Sequence, residues 1–97
     1  PPSPARAQGA REEGPADSAD ATNRISRQAQ ILRERYRLSA RETEVMEYIA
    51  RGYTVARTAQ ELVVSENTIR THSKRIYAKL DVHKKQELIE MLEAVEP

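Results

Sequence analysis

The sequence predicts an all-α fold, and three features predict it. The apolar residues are Ile, Leu, Val, Met and Ala with four Tyr, no Phe and no Trp, a set without alternating β-branched runs or Gly-rich turns. They recur at helical spacing along residues 23–94, which marks amphipathic helices rather than strands. Side chains suited to start helices, Ser39, Thr54 and Ser65, stand directly ahead of three of these runs. At 97 residues the chain has room for one small domain and a tail, and a core of that size must use its apolar residues efficiently.

Residues 1–22 carry three Pro in the first four positions, followed by Ala, Gly, Ser and Asp, and contain no Ile, Leu, Val or aromatic residue. Such a segment cannot offset the entropy of ordering, so it is expected to be a disordered linker or tail. The chain starts at Pro1 rather than Met, which suggests a fragment or a processed product. Residues 23–37 are expected to form a linker helix, with Asn23 as its cap, Ile25, Ala29, Leu32 and Tyr36 on one face and arginines on the other. That helix either packs on the next domain or leads away from it.

The remaining helices fill residues 38–94. Ser39-Ala40-Arg41-Glu42 is a capping box opening a helix to residue 51, with Val45, Met46, Ile49 and Ala50 as its apolar stripe and Gly52 as its stop. A short helix follows over 54–62, capped by Thr54, with Val55, Ala59 and Leu62 on one face. Val63-Val64 break the pattern and Ser65 restarts it. The helix over 66–80 buries Ile69, Ile76 and Leu80, joined by His72 or Ser73, and a last helix over about 85–94 buries Leu88.

Composition excludes several classes of function. Without Cys there are no disulfides and no Cys-based zinc sites, and His72 and His83 form no metal-binding pattern; neither a metal nor another cofactor is expected. No apolar run approaches the roughly 20 residues of a membrane span. His72 lies on the inner side of its helix and reads as a packed, hydrogen-bonded structural residue, His83 as a loop residue without a role, and the Tyr residues as packing groups that do not cluster. No triad or pocket chemistry can be assembled, so no catalytic residue is assigned. The net charge of +1 hides an uneven distribution. Residues 23–52 hold seven Arg against four Glu, residues 53–85 hold seven Lys or Arg against Glu61, Glu66 and Asp81, and residues 86–97 hold four Glu and no base. A basic centre attracts phosphate while the acidic ends are repelled by it.

A helix, a three-residue turn and a second helix make a helix-turn-helix. Ala59 is small enough for the two helices to cross closely, and Leu62 and Val64 can pin the turn. On the second helix, Asn67, Arg70, Thr71 and Lys74 fall on the face opposite the apolar stripe. Arg suits guanine O6 and N7, and the Thr methyl suits the thymine methyl. Arg75 and Lys79 flank that face and suit phosphates, as do the free N–H groups at the helix start. Double-stranded DNA is therefore the expected partner.

These residues resemble the DNA-binding domain of the LuxR-type (GerE-type) bacterial transcription regulators. The matching pieces are Leu38-Ser39-Ala40-Arg41-Glu42-Thr43-Glu44-Val45, Ile49-Ala50-Arg51-Gly52, Ala59-Gln60-Glu61-Leu62, Ser65-Glu66-Asn67-Thr68-Ile69-Arg70-Thr71-His72, and Ile76, Lys79-Leu80 and Val82. The resemblance implies a four-helix domain, here preceded by the linker helix, whose third helix enters the major groove. It assigns Arg70, Thr71 and Lys74 to bases and Thr54, Asn67, Thr68, Arg75, Lys79 and Lys85 to the DNA backbone. It also implies a weak homodimer on an inverted repeat, paired through Leu88, Met91 and Leu92 of the last helix, contact with RNA polymerase, and a sensory or phosphoacceptor domain upstream. A cytoplasmic, nucleoid-associated location goes with it. The stretch Leu80–Leu88 is similar to a subgroup with a multi-span membrane half, which implies an inner-membrane tether for the full-length protein.

Three positions depart from the family pattern. Asp81 replaces the usual Gly, and Asp tolerates the left-handed conformation, so the helix stop is expected to survive. Thr58 replaces an apolar residue and is expected to weaken packing. Lys84 replaces a polar cap and is expected to start the last helix less firmly. Two other readings stand beside this one: a module similar to region 4 of sigma factors, which the Lys79-Leu80-Asp81-Val82 ending and the extra last helix disfavour, and a helical protein-interaction module without DNA binding.

Overall fold

The computed structural model describes residues 19–96. It contains helices α1 (Ala19–Tyr36), α2 (Ala40–Ala50), α3 (Val55–Leu62), α4 (Glu66–Leu80) and α5 (Lys85–Glu93), with no strand among the described residues. The expected all-α architecture is what forms, a helix-turn-helix domain with an additional helix in front. The disordered tail expected over residues 1–22 lies outside the described residues up to residue 18. From Ala19 onward the expectation is corrected: α1 starts four residues before Asn23, which sits inside the helix and caps nothing. Asp20 in its first turn supplies the negative charge that the helix dipole favours.

Three helices start as their sequences require. The Ser39 hydroxyl accepts from the Glu42 N–H at 3.0 Å while the Glu42 carboxylate accepts from the Ser39 N–H at 2.9 Å. Thr54 Oγ1 accepts from the Arg57 N–H and Ser65 Oγ from the Thr68 N–H. The start of α5 is made differently. Lys84 offers no acceptor, and Glu87 Oε1 reaches back to the N–H groups of His83 and Lys84, at 2.6 and 3.2 Å. The His83 hydrogen bond, aided by the Lys84 one, holds the Glu87 carboxyl below its ordinary value despite some desolvation. The helix is thus fastened from its third residue rather than from its cap.

Four helix ends share one device. Arg37, Gly52, Val63 and Asp81 all have positive φ. The residue after each donates its N–H five residues back, Leu38 to Arg33, Tyr53 to Tyr48, Val64 to Ala59 and Val82 to Tyr77, all at 3.0 Å. This is the Schellman closure, which satisfies carbonyls that the helix leaves free. Gly52 takes the conformation without penalty, and Asp81 keeps the stop as expected. Val63 pays most. It is β-branched, held at φ 56°, ψ 52°, and its side chain is 88% exposed, so packing returns nothing for the strain.

The core is one cluster drawn from all five helices. Ala29 and Leu32 of α1, Val45, Met46 and Ile49 of α2, Ala59 of α3, Ile69, Ile76 and Leu80 of α4, and Leu88 and Leu92 of α5 are buried in it. α1 does not lead away: it packs on α2 and α5. Gln28 Nε2 donates to the Val95 carbonyl at 3.1 Å in a buried position, and Ser26 Oγ donates to Glu47 Oε1 at 2.9 Å. Thr58 is also fully buried, but its hydroxyl donates to the Thr54 carbonyl at 2.8 Å, so the expected weakness is met by an internal hydrogen bond. His72 departs from expectation, because its Nδ1 is buried and finds no partner.

Replacing Val63 with Asn removes a β-branched side chain from the left-handed region at no cost in packing. Val63→Asn is expected to raise stability by about 1 kcal/mol, read as a higher denaturant midpoint at unchanged slope. A lower midpoint would show that the exposed valine contributes something its surroundings do not reveal.

Candidate nucleic-acid interface

α4 has two stripes with different fates. Ile69 and Ile76 have no exposed surface and Leu80 almost none. On the opposite side Asn67, Arg70, Thr71, Lys74 and Arg75 are all exposed. The burial of one stripe fixes the rotation of the helix about its axis, and that rotation aims the other at solvent. Arg70 Nη2 donates to Glu66 Oε1 at 3.1 Å. Both partners are half exposed, and an exposed pair one helical turn apart is worth only about 0.3–0.5 kcal/mol. Arg70 can therefore leave Glu66 for a better acceptor.

The flanking groups vary in availability. Thr54 is exposed at the start of α3; its hydroxyl oxygen accepts from Arg57 N–H, which leaves the hydroxyl proton to donate outward. Thr68 is half-buried and its hydroxyl is shared with Ser65 at 2.9 Å. Lys85 is exposed at the start of α5.

Lys79, expected at phosphate, is also tied to the chain itself: its ammonium donates to Glu42 Oε1 at 2.8 Å and to the Arg37 carbonyl at 3.2 Å. The Glu42 side chain is 4% exposed and that of Lys79 40%. Burial pushes the Glu42 carboxyl up, but the Lys79 ammonium, the Ser39 N–H and the nearby His72 outweigh it and hold the group below its ordinary value. A carboxylate buried this deeply needs its cation, and so Lys79 has a structural task in the scaffold.

The residues expected at the dimer surface are mostly covered within the single chain. Leu88 is 0% and Leu92 2% exposed within the single chain, and Met91 is half-buried against the core. α1 lies on α5 and helps close over this stripe, so Leu88 and Leu92 have no free surface to offer a second copy.

One cluster escaped the sequence. The Tyr48 and Tyr53 rings sit with centroids 4.9 Å apart, the Arg51 guanidinium lies 5.4 and 4.9 Å from them, and Arg57 lies 4.6 Å from Tyr53. Arg51 Nη2 also donates to the Tyr53 hydroxyl at 3.3 Å. This stack holds the corner between α2 and α3, so the Tyr residues do cluster here. Their five-residue spacing around the Gly52 turn was the available signal.

The exposed polar stripe, the capped turn before it and the basic flank together describe a helix-turn-helix reader of nucleic acid. A family model described as bacterial regulatory proteins, luxR family, matches residues 36–92. The chain belongs to the luxR family of bacterial regulatory proteins. Response regulator protein TodT of Pseudomonas putida is 40% identical over 63 residues, which cover 64% of this chain and 28% of that protein. The probable transcriptional regulatory protein NarL of Mycobacterium tuberculosis is 49% identical over 45 residues (46% and 21%). Oxygen regulatory protein NreC of Staphylococcus haemolyticus is 43% identical over 53 residues (55% and 24%). The chain thus spans about a quarter of the length of these relatives, and no solved structure matches it. This luxR-family domain is a DNA-binding module of transcription regulation. Among its described residues no helix is long and apolar enough to cross a membrane, and no group of three His, Asp or Glu could hold a metal ion.

Lys79→Met should cost about 1–3 kcal/mol in denaturant unfolding, because it strands the Glu42 carboxylate with only its Ser39 contact. The pH dependence has a definite sign. Because the folded Glu42 value is depressed, its contribution is full above the ordinary carboxylate range and is lost as pH falls through the folded value. Glu42→Gln should be less stable at neutral pH and should lose less stability than the unaltered chain between about pH 5 and pH 3. Equal acid sensitivity would mean that Glu42 is not the group responsible.

Proposed function

We propose that the domain binds double-stranded DNA in a sequence-specific way, with α4 in the major groove. Arg70, Thr71 and Lys74 contact bases, and Thr54, Asn67, Thr68, Arg75 and Lys85 contact the sugar-phosphate backbone. The exposed stripe of α4, locked outward by the burial of Ile69, Ile76 and Leu80 behind it, carries this reading. An Arg and a Lys one turn apart suit guanine O6 and N7, and the Thr71 methyl suits thymine. The cap at Ser65 leaves backbone N–H groups at the helix start for a phosphate.

Two copies on an inverted repeat would set their recognition helices about 34 Å apart. Leu88 and Leu92 take no part in such a pair; the half-buried Ile89 and Met91 are the apolar side chains that α5 has left to offer. The small size of that surface fits a dimer that is weak off DNA and assembled on it. The domain is the output end of a longer regulator whose upstream part receives the signal and carries any membrane anchor, and it works on the nucleoid beside RNA polymerase.

Selection of duplexes from a random pool should return a half-site repeated in inverted orientation. On that site Arg70→Ala should cost about 1–3 kcal/mol and relax the preference at one base pair. Arg75→Ala should weaken all sequences alike and flatten the plot of log affinity against log salt by about one unit. Unchanged site affinity in the Arg70 variant would overturn the base assignment. A selected site without symmetry would overturn the pairing.

A further inference from the structure

Behind the reading stripe, between the end of α2, the start of α3 and the inner flank of α4, lies a cleft of about 340 Å³. Its floor is apolar, with the half-buried Val55 and Tyr77 among the side chains that form it, and its rim carries Arg70, Lys74 and Lys85. No acidic side chain lines it. Burial pushes the Tyr77 phenol up.

DNA accounts for the rim but not for the floor. Phosphates need cations and N–H donors, and base edges meet the outer stripe of α4, whereas neither uses a hydrocarbon hollow set behind it. An apolar concavity of a few hundred Å³ with a few converging polar groups is the form of a small-molecule site. Lys74 and Lys85 bring two positive charges to the rim, and Arg70, held by Glu66 at 3.1 Å, is a third that can be released, so an anion is the complementary ligand. A tyrosine ring in the lining suits an aromatic body, because aromatic pairs attract beyond the area they bury.

We infer that this cleft binds a small organic carboxylate with an aromatic body, the body resting on the half-buried Val55 and Tyr77 and the carboxylate held at Lys74 and Lys85. Binding itself does not depend on the function proposed above. Its consequence does: Arg70 and Lys74 cannot serve ligand and DNA together, so the ligand displaces DNA.

The test uses the whole chain with 2-naphthoate, its neutral analogue 2-naphthalenemethanol, and inorganic phosphate, read by calorimetry and by the Tyr77 ring signals in NMR. 2-Naphthoate should bind saturably and shift those signals. The alcohol and phosphate should each bind at least about tenfold more weakly, since each lacks one half of the recognition. Lys85→Met, at unchanged helical content, should weaken 2-naphthoate about fivefold or more, and Ser73→Leu, which narrows the cleft, should weaken it as much. Adding 2-naphthoate should lower the apparent affinity for the selected duplex in proportion to occupancy. No saturable binding, equal binding of the alcohol, or equal binding of phosphate would each overturn the site. Binding without displacement of DNA would overturn the competition. Failure to bind any duplex, with 2-naphthoate still bound at the cleft, would sink the functional proposal and leave the ligand site standing.

Discussion

A single carboxylate holds the frame on which the reading helix hangs. Glu42 closes the start of α2 through the Ser39 N–H and receives the Lys79 ammonium from the end of α4. Lys79 reaches on to the Arg37 carbonyl, where α1 turns left-handed before α2. Three helices meet on two side chains. The arrangement is stable because each member satisfies another: the carboxylate is buried but paired, the ammonium keeps one side in water, and the strained Arg37 turn presents its carbonyl to a charge-assisted bond. The far end of α4 is thereby anchored, while its near end starts freely at Ser65.

That anchoring decides how function and fold share one helix. α4 gives Ile69, Ile76 and Leu80 to the bundle and nearly every long polar residue to the outside. The only polar residue taken from the expected DNA-facing set is Lys79, and it lies in the last turn, farthest from the Ser65 end. Towards the other end, Arg70 rests on Glu66 in a pair too weak to compete with a guanine. The scaffold is rigid where it must orient the helix and loose where the helix must exchange partners.

Much of this was legible in the sequence because the deciding interactions are local. A cap needs a Ser or Thr and the two or three N–H groups after it, and Ser39, Thr54 and Ser65 behave as read. The apolar stripes of α2 and α4 follow from helical period alone. The misreadings share a cause. Periodicity tells which way a side chain points and not what stands opposite. It could not reveal that Lys79 faces Glu42, whereas the burial of Leu88 follows from it, and the pairing through Leu88 and Leu92 came from the resemblance alone. It was silent on the left-handed residues at Arg37 and Val63, because neither is a type that prefers that conformation, and the tertiary closure imposes it. The beginning of α1 was missed because Ala19–Thr22 bring no large apolar residue to mark a face.

The bond between Gln28 and Val95 joins the first helix to the last turn of the chain, across 67 positions. The family match starts at residue 36, the last residue of α1. The unit that relatives share and the unit that folds together are therefore not the same piece of polypeptide. Cutting this protein where its kinship begins would strip Ala29 and Leu32 from the interior and leave an oily wound along α5. Ancestry marks one border here, and cohesion reaches past it to Gln28 and Ala29 in α1.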